Sequence, residues 1–261
     1  MSHVNSQQST AQPVYSVVIP VLNEAGNIAP LVKEIVAAIH ALPDSPPFEL
    51  IYVDDGSQDG TPQELAQASA QHAVRVYTHA ETAGQSQALL TGIDRAQGEW
   101  IITLDGDGQN DPADISCLIA ARDAAVANEP ETAPTFLFIG HRRLRHDSLF
   151  KRYQSWLAND IRGWLLGDFT PDSGCGLKLF RRDVFVRLQR FNAMHRFLPA
   201  LFIRNGGRVV SLEISHRPRQ HGVSKYGFWR RLMLGVIDLL GVIWLSVRHS
   251  TPDLKDEKDH S

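Results

Sequence analysis

Between residues 15 and 139, short apolar runs alternate with stretches in which apolar residues return every three or four positions. Tyr15–Pro20, Phe48–Val53, Val74–Tyr77, Trp100–Leu104 and Phe136–Ile139 are apolar and too short for helices, so they predict buried strands. Ile28, Leu31, Val32, Ile35, Val36 and Ile39 fall on one face of a helix over 28–39. Further helices are predicted through Ala70, over Gln85–Ala96 and over Pro112–Ala127. Asp59 or Thr61 suits the cap of the first of these, with Pro62 in its opening turn. Strand and helix alternating through short connections predict an α/β fold: a doubly wound, mostly parallel sheet flanked by helices.

In such sheets ligands bind outside the carboxyl ends of the strands. Polar residues stand there after each of the first four: Asn23-Glu24, Asp54-Asp55, Thr78-His79 and Asp105-Gly106-Asp107. The last follows its strand directly, and glycines at 106 and 108 let the backbone come close to a ligand. Two carboxylates with the Gln109 amide, and no His or Cys, suit Mg²⁺ or Mn²⁺ shared with substrate phosphates. Alone, the segment reads equally well as an exposed acidic turn; the other polar strand ends favour a site. A carboxylate at Asp54-Asp55 suits a ribose or base, or else complements the dipole of the next helix. Asn23-Glu24 fits the same nucleoside, or a helix cap.

A chain of 261 residues at 43% hydrophobic builds one large core, and a net charge of −3 gives no reason to expect nucleic acid. Cys117 and Cys175 are too few for a disulfide framework and fit a reduced, cytoplasmic setting. Residues 1–13 are polar without a signal-peptide pattern, and 250–261 are charged. Both are expected to be disordered tails around a domain at 14–227 and an apolar helix at 228–249. In that helix the most apolar run, Leu232–Val247, spans ~24 Å, short of a ~30 Å hydrocarbon core, and it carries Asp238. With Arg230-Arg231 before it and Arg248-His249 after it, the expectation is contact with a membrane surface rather than a span. The alternative is packing on a partner subunit in a homo-oligomer. The stretch 149–167, with Lys151-Arg152, Phe150, Tyr153, Trp156 and Trp164, reads either as a membrane-docking helix or as a core-facing one.

Seven segments resemble glycosyltransferase family 2, of GT-A fold: VVIPVLNEAGNI (17–28), VDDGSQDGT (53–61), AGQSQALLTGIDRAQGEWIITLDGDGQNDP (83–112), IGHR (139–142), DSGCGLKLFRRDV (172–184), HRFLP (195–199) and HRPRQHGVSKYGFWR (216–230). Within the family they are most similar to dolichyl- or polyprenyl-phosphate sugar synthases. The resemblance implies a nucleoside set of Pro20, Asn23, Glu24, Asp54 and Asp55, and a metal–diphosphate set of Asp105, Asp107 and Gln109. It implies that Arg142 faces the transferred group or acceptor phosphate, with His141 departing from the family's usual Ser. Arg217 and Lys225 match a cationic loop over the donor diphosphate. The implied reaction is inverting transfer from a nucleotide-sugar donor to a polyprenyl-phosphate acceptor, by an enzyme attached to the inner face of the cell membrane.

The charges suit that chemistry, because a departing diphosphate is stabilised by a divalent cation with Arg and Lys. The loop HRPRQHGVSKYG is either a lid that orders over the donor or a solvated basic segment. Asp172 is a base for a hydroxyl acceptor, or a positioning group if the acceptor is an already anionic phosphate. Transfer to a saccharide and a non-catalytic nucleotide-sugar-binding adaptor are the competing readings. Retention of both Asp105 and Asp107 weighs against the adaptor.

Overall fold

The computed structural model describes residues 12–142, 163, 165–215, 217 and 228–248, with the backbone alone at 228–236 and 246. The five predicted strands form as β1 (Tyr15–Val21), β2 (Phe48–Asp54), β3 (Val74–Thr78), β4 (Trp100–Thr103) and β5 (Leu137–Arg142). Between them run α1 (Ile28–His40), α2 (Thr61–Gln71), α3 (Gln85–Arg95) and α4 (Ile115–Asn128). A 3₁₀ turn at Pro112–Asp114 precedes α4, its first donor taken by the Asp111 carboxylate. The second half adds β6 (Lys178–Arg181), the single turn α5 (Arg182–Phe185), α6 (Leu198–Arg204), β7 (Val209–Ile214) and α7 (Phe228–Val247).

The strands make one sheet in the order β3-β2-β1-β4-β6-β5-β7. Successive side chains point to opposite faces, and the two sets find different helices. Val17, Ile19 and Val21 of β1, with Leu50 and Tyr52 of β2, pack in one core with Ile28, Val32 and Ile35 of α1 and Leu118 of α4. Val18, Ile51 and Val53 enter the other with Ala88 and Ile93 of α3 and Leu201 and Phe202 of α6. Each buried Val, Leu or Ile is worth about 2 kcal/mol. A one-residue slip would exchange the two sets, so the register is firmly held.

The sequence pattern leaves β6 out, and β6 is what completes the site. It lies antiparallel between β4 and β5, with Trp100 opposite Arg181 and Thr103 opposite Lys178. The start of β6 therefore stands beside the end of β4, and the 172–177 segment is delivered to the polar crevice.

Leu239 of α7 packs with Val242 against Phe197 and Ala200. On its other side Ile237, Leu240, Trp244 and Val247 are exposed. Among the described residues, no helix is long and apolar enough to cross a membrane. Lys225, most of 149–167, and residues 1–11 and 249–261 lie outside the described residues.

Candidate active site

The loops after β1 and β2 are bound to each other. Asn23, in a left-handed conformation at φ 54°, donates its backbone N–H to Ser57 Oγ and accepts at Oδ1 from Gln58 N. Glu24 N donates to Thr61 Oγ1, Ala25 N to Asp59 Oδ2 and Gly26 N to Glu64 Oε1. Asp59 also accepts from Thr61 N, so it organises the start of α2, whose N-cap position is Gly60. Pro20 lies on β1, and a β-carbon at Gly106 would crowd its carbonyl oxygen and strike the Val21 side chain.

Asp54 is fully buried; its Oδ1 accepts from Ser57 N, and its Oδ2 has no partner among the described residues. Asp55 accepts from Ala83 N at 2.9 Å and Gly84 N at 2.8 Å, and its Oδ1 is 2.8 Å from His79 Nδ1. These bonds fasten the 79–84 loop and set the first turn of α3 at the crevice. Gly84 has φ 97°, a backbone conformation that side chains disfavour.

From that turn, Gln85 Nε2 donates to Asp105 Oδ1 at 2.9 Å. Gly176 closes on the same carboxylate from the other side: a β-carbon there would overlap the carboxyl carbon and both oxygens of Asp105. Part of Asp105 remains open to the crevice, but protein surrounds the rest of its carboxyl. Burial, foremost, and the neighbouring charge of Asp107 push its pKa up to about 6; Lys178, Arg142 and Gln85 pull the other way. Asp107 Oδ1 accepts from Gln109 N, and Gln109 O accepts from Arg217 N.

Arg142 ends β5 and pairs with Asp172 through two bonds, Nε to Oδ2 at 2.6 Å and Nη2 to Oδ1 at 3.0 Å. The crevice thus brings together Asp105, Asp107, Arg142 and Asp172. Arg217 is placed differently. Its backbone abuts Gln109, while its guanidinium binds Glu34 and Asp111, each at 2.6 Å.

Two further side chains, Lys178 and His195, reach the site without having been singled out above. Lys178 is buried, and its Nζ donates to Cys175 O. Burial pushes the pKa of this lysine down, against the attraction of Asp105 and Asp172. His195 Nδ1 lies 2.7 Å from Ser86 Oγ, beside Gln85. Burial first, then Lys178 and Arg196, push the pKa of His195 down to about 3, so its ring is neutral at pH 7. The signal for Lys178 was its charge within the apolar run GLKLF.

A mostly parallel α/β sheet with an acidic pair closing its fourth strand is an architecture of the GT-A type. The chain belongs to glycosyl transferase family 2, whose family model matches residues 16–188. It is 36% identical over 234 residues to a dodecaprenyl-phosphate galacturonate synthase of Rhizobium johnstonii, covering 88% of this chain and 66% of the relative. It is 33% identical to an undecaprenyl-phosphate 4-deoxy-4-formamido-L-arabinose transferase of Aeromonas hydrophila, covering 84% and 64%. The chain thus spans about two thirds of the length of these relatives. Among solved structures, its fold is similar to a mannosyltransferase from Pyrobaculum calidifontis in complex with GDP-Man and Mn²⁺ (TM-score 0.58, 20% identity, 93% of this chain and 66% of that one). It is also similar to glucosyl-3-phosphoglycerate synthase from Mycobacterium tuberculosis (TM-score 0.62, 17% identity, 92% and 80%).

Proposed function

We propose that this chain is an inverting glycosyltransferase that moves a sugar from a nucleotide-diphosphate donor to a polyprenyl phosphate. The observation that carries the reading is the convergence on Asp105 of the first turn of α3, the 172–176 turn and the Arg142 charge, itself paired with Asp172. Both curated relatives carry a polyprenyl phosphate in their names, which supports the acceptor class.

The acidic pair fits a divalent cation. Burial first, and then the neighbouring charge of Asp107, raise the pKa of Asp105 to about 6, a cost that a bound cation would offset. No group of three or more His, Cys, Asp or Glu that could hold a metal occurs among the described residues. The other ligands then come from Gln109, water and phosphate oxygens, the habit of Mg²⁺ and Mn²⁺. In this reading Asp105, Asp107 and Gln109 hold the cation, which when bound neutralises charge on the departing diphosphate. Pro20, Asn23, Glu24, Asp54 and Asp55 form the nucleoside side. Arg217 and Lys225 belong to a lid, and Arg217 must release Glu34 and Asp111 to reach the donor.

Inversion requires an acceptor oxygen to attack the anomeric carbon opposite the leaving diphosphate. A phosphate acceptor is already anionic and needs no base. Both carboxylate oxygens of Asp172 are engaged by Arg142, which favours a positioning role for Asp172 over proton abstraction. The test supplies a panel of nucleotide sugars, Mg²⁺ or Mn²⁺ and undecaprenyl phosphate, and follows solvent-extractable, lipid-linked sugar. Lipid product with at least one donor is expected; transfer only to a soluble saccharide would overturn the reading.

The acceptor calls for attachment to a membrane, at its inner face. Ile237, Leu240 and Trp244 are each 61% exposed and Val247 79%, at spacings that put them on one stripe of α7. The Arg248 guanidinium sits over the Trp244 ring, so a basic group borders the stripe. Trp244→Glu should weaken binding to anionic phospholipid vesicles by about tenfold or more, as measured by sedimentation. Unchanged vesicle binding would remove α7 from the contact.

A further inference from the structure

Lys178 is 4% exposed. Its ammonium carries three donors, and the one hydrogen bond it makes to the described residues goes to the Cys175 carbonyl. No described carboxylate pairs with it, although Asp105 and Asp172 are its charged neighbours, with Arg142. A buried cation with unmet donors is costly and usually marks a partner that arrives later.

The fold places that ammonium where a substrate belongs. Lys178 opens β6, opposite Thr103 of β4 and Ile139 of β5, at the level where those strands deliver Asp105 and Arg142. It is also a charged neighbour of His195, which Ser86 holds beside Gln85. Fastening the 172–176 turn explains the single bond to Cys175, but a neutral donor would do that without burying a charge.

We infer that Lys178 is a substrate-binding residue whose ammonium receives a phosphate oxyanion between the Asp105–Asp107 pair and the Arg142–Asp172 pair. The inference deepens the transferase reading and rests on it for the source of that oxyanion, which is either the donor diphosphate or the acceptor phosphate.

The test uses the full chain and two probes in titration calorimetry: inorganic pyrophosphate with Mn²⁺ for the donor side, and farnesyl phosphate for the acceptor side. Lys178→Met and Lys178→Gln should each weaken one probe by on the order of tenfold or more, while Lys178→Arg keeps most of the affinity. The Gln variant guards against misfolding of the Met variant, and thermal melts of all three show whether the fold survives. Loss on pyrophosphate assigns the oxyanion to the donor, and loss on farnesyl phosphate assigns it to the acceptor. Equal affinities in wild type and both neutral variants, or no binding of either probe by the wild type, would overturn the inference. Selective probe loss without any lipid-linked product from the wild type would instead leave Lys178 in place and remove the transferase reading.

Discussion

Asp105→Asn is expected to lower transfer by about 10³-fold while leaving the fold intact. The substitution preserves shape and the contact with Gly176, and it removes one charge from the acidic pair at the end of β4. Its physical signature is metal dependence. In the metal-free wild type the carboxyl of Asp105 takes up a proton near pH 6. A proton therefore competes with the cation below that value, and Mn²⁺ affinity should fall by about tenfold per unit as pH drops further. Above pH 6 the carboxylate is ionised and this dependence vanishes. The Asn variant should bind Mn²⁺ weakly throughout and lack the transition. Wild-type turnover in Asp105→Asn would show that the β4 end does not carry the donor chemistry.

Gly176→Ala is the second large effect, and it arises outside the acidic motif. The added methyl meets the whole Asp105 carboxyl, and the backbone has little freedom to retreat. Thr103 Oγ1 donates to Gly176 O, and β6 begins two residues later. The carboxylate must move instead. Displacement by about 1 Å at a reacting centre costs on the order of 100-fold, and that loss should appear in metal-dependent turnover and in Mn²⁺ affinity. Overpacking would also destabilise the fold by about 1–3 kcal/mol, which a melt measures separately. A variant with reduced melting temperature and normal Mn²⁺ affinity would contradict the cradle role of Gly176.

The first four strands and their polar ends were legible because each strand is a short, mostly apolar run with polar residues at or just after its end, Asn23-Glu24, Asp54-Asp55, Thr78-His79 and Asp105. Local pattern and topology rule together place Asp55 and Asp105 on one crevice. The Gly176, Lys178 and His195 contacts were not legible, since they depend on where the second half of the chain returns. An antiparallel β6 between β4 and β5 is a long-range pairing that no local periodicity encodes. The bidentate pair of Arg142 with Asp172 has the same origin, for those residues lie 30 positions apart. Arg217 shows the other limit. Its motif suggests a phosphate ligand, whereas its guanidinium lies with Glu34 and Asp111, which sequence spacing does not bring near it.

The account stands on Asp105 and Asp107 as the site of the cation and the donor diphosphate. Crystals grown with Mn²⁺ and a nucleoside diphosphate, measured for anomalous scattering from manganese, test this directly. The expected result is a single strong manganese peak at the end of β4, touching Asp105 or Asp107 and an oxygen of the diphosphate. A bound nucleotide whose manganese lies away from both carboxylates would contradict it.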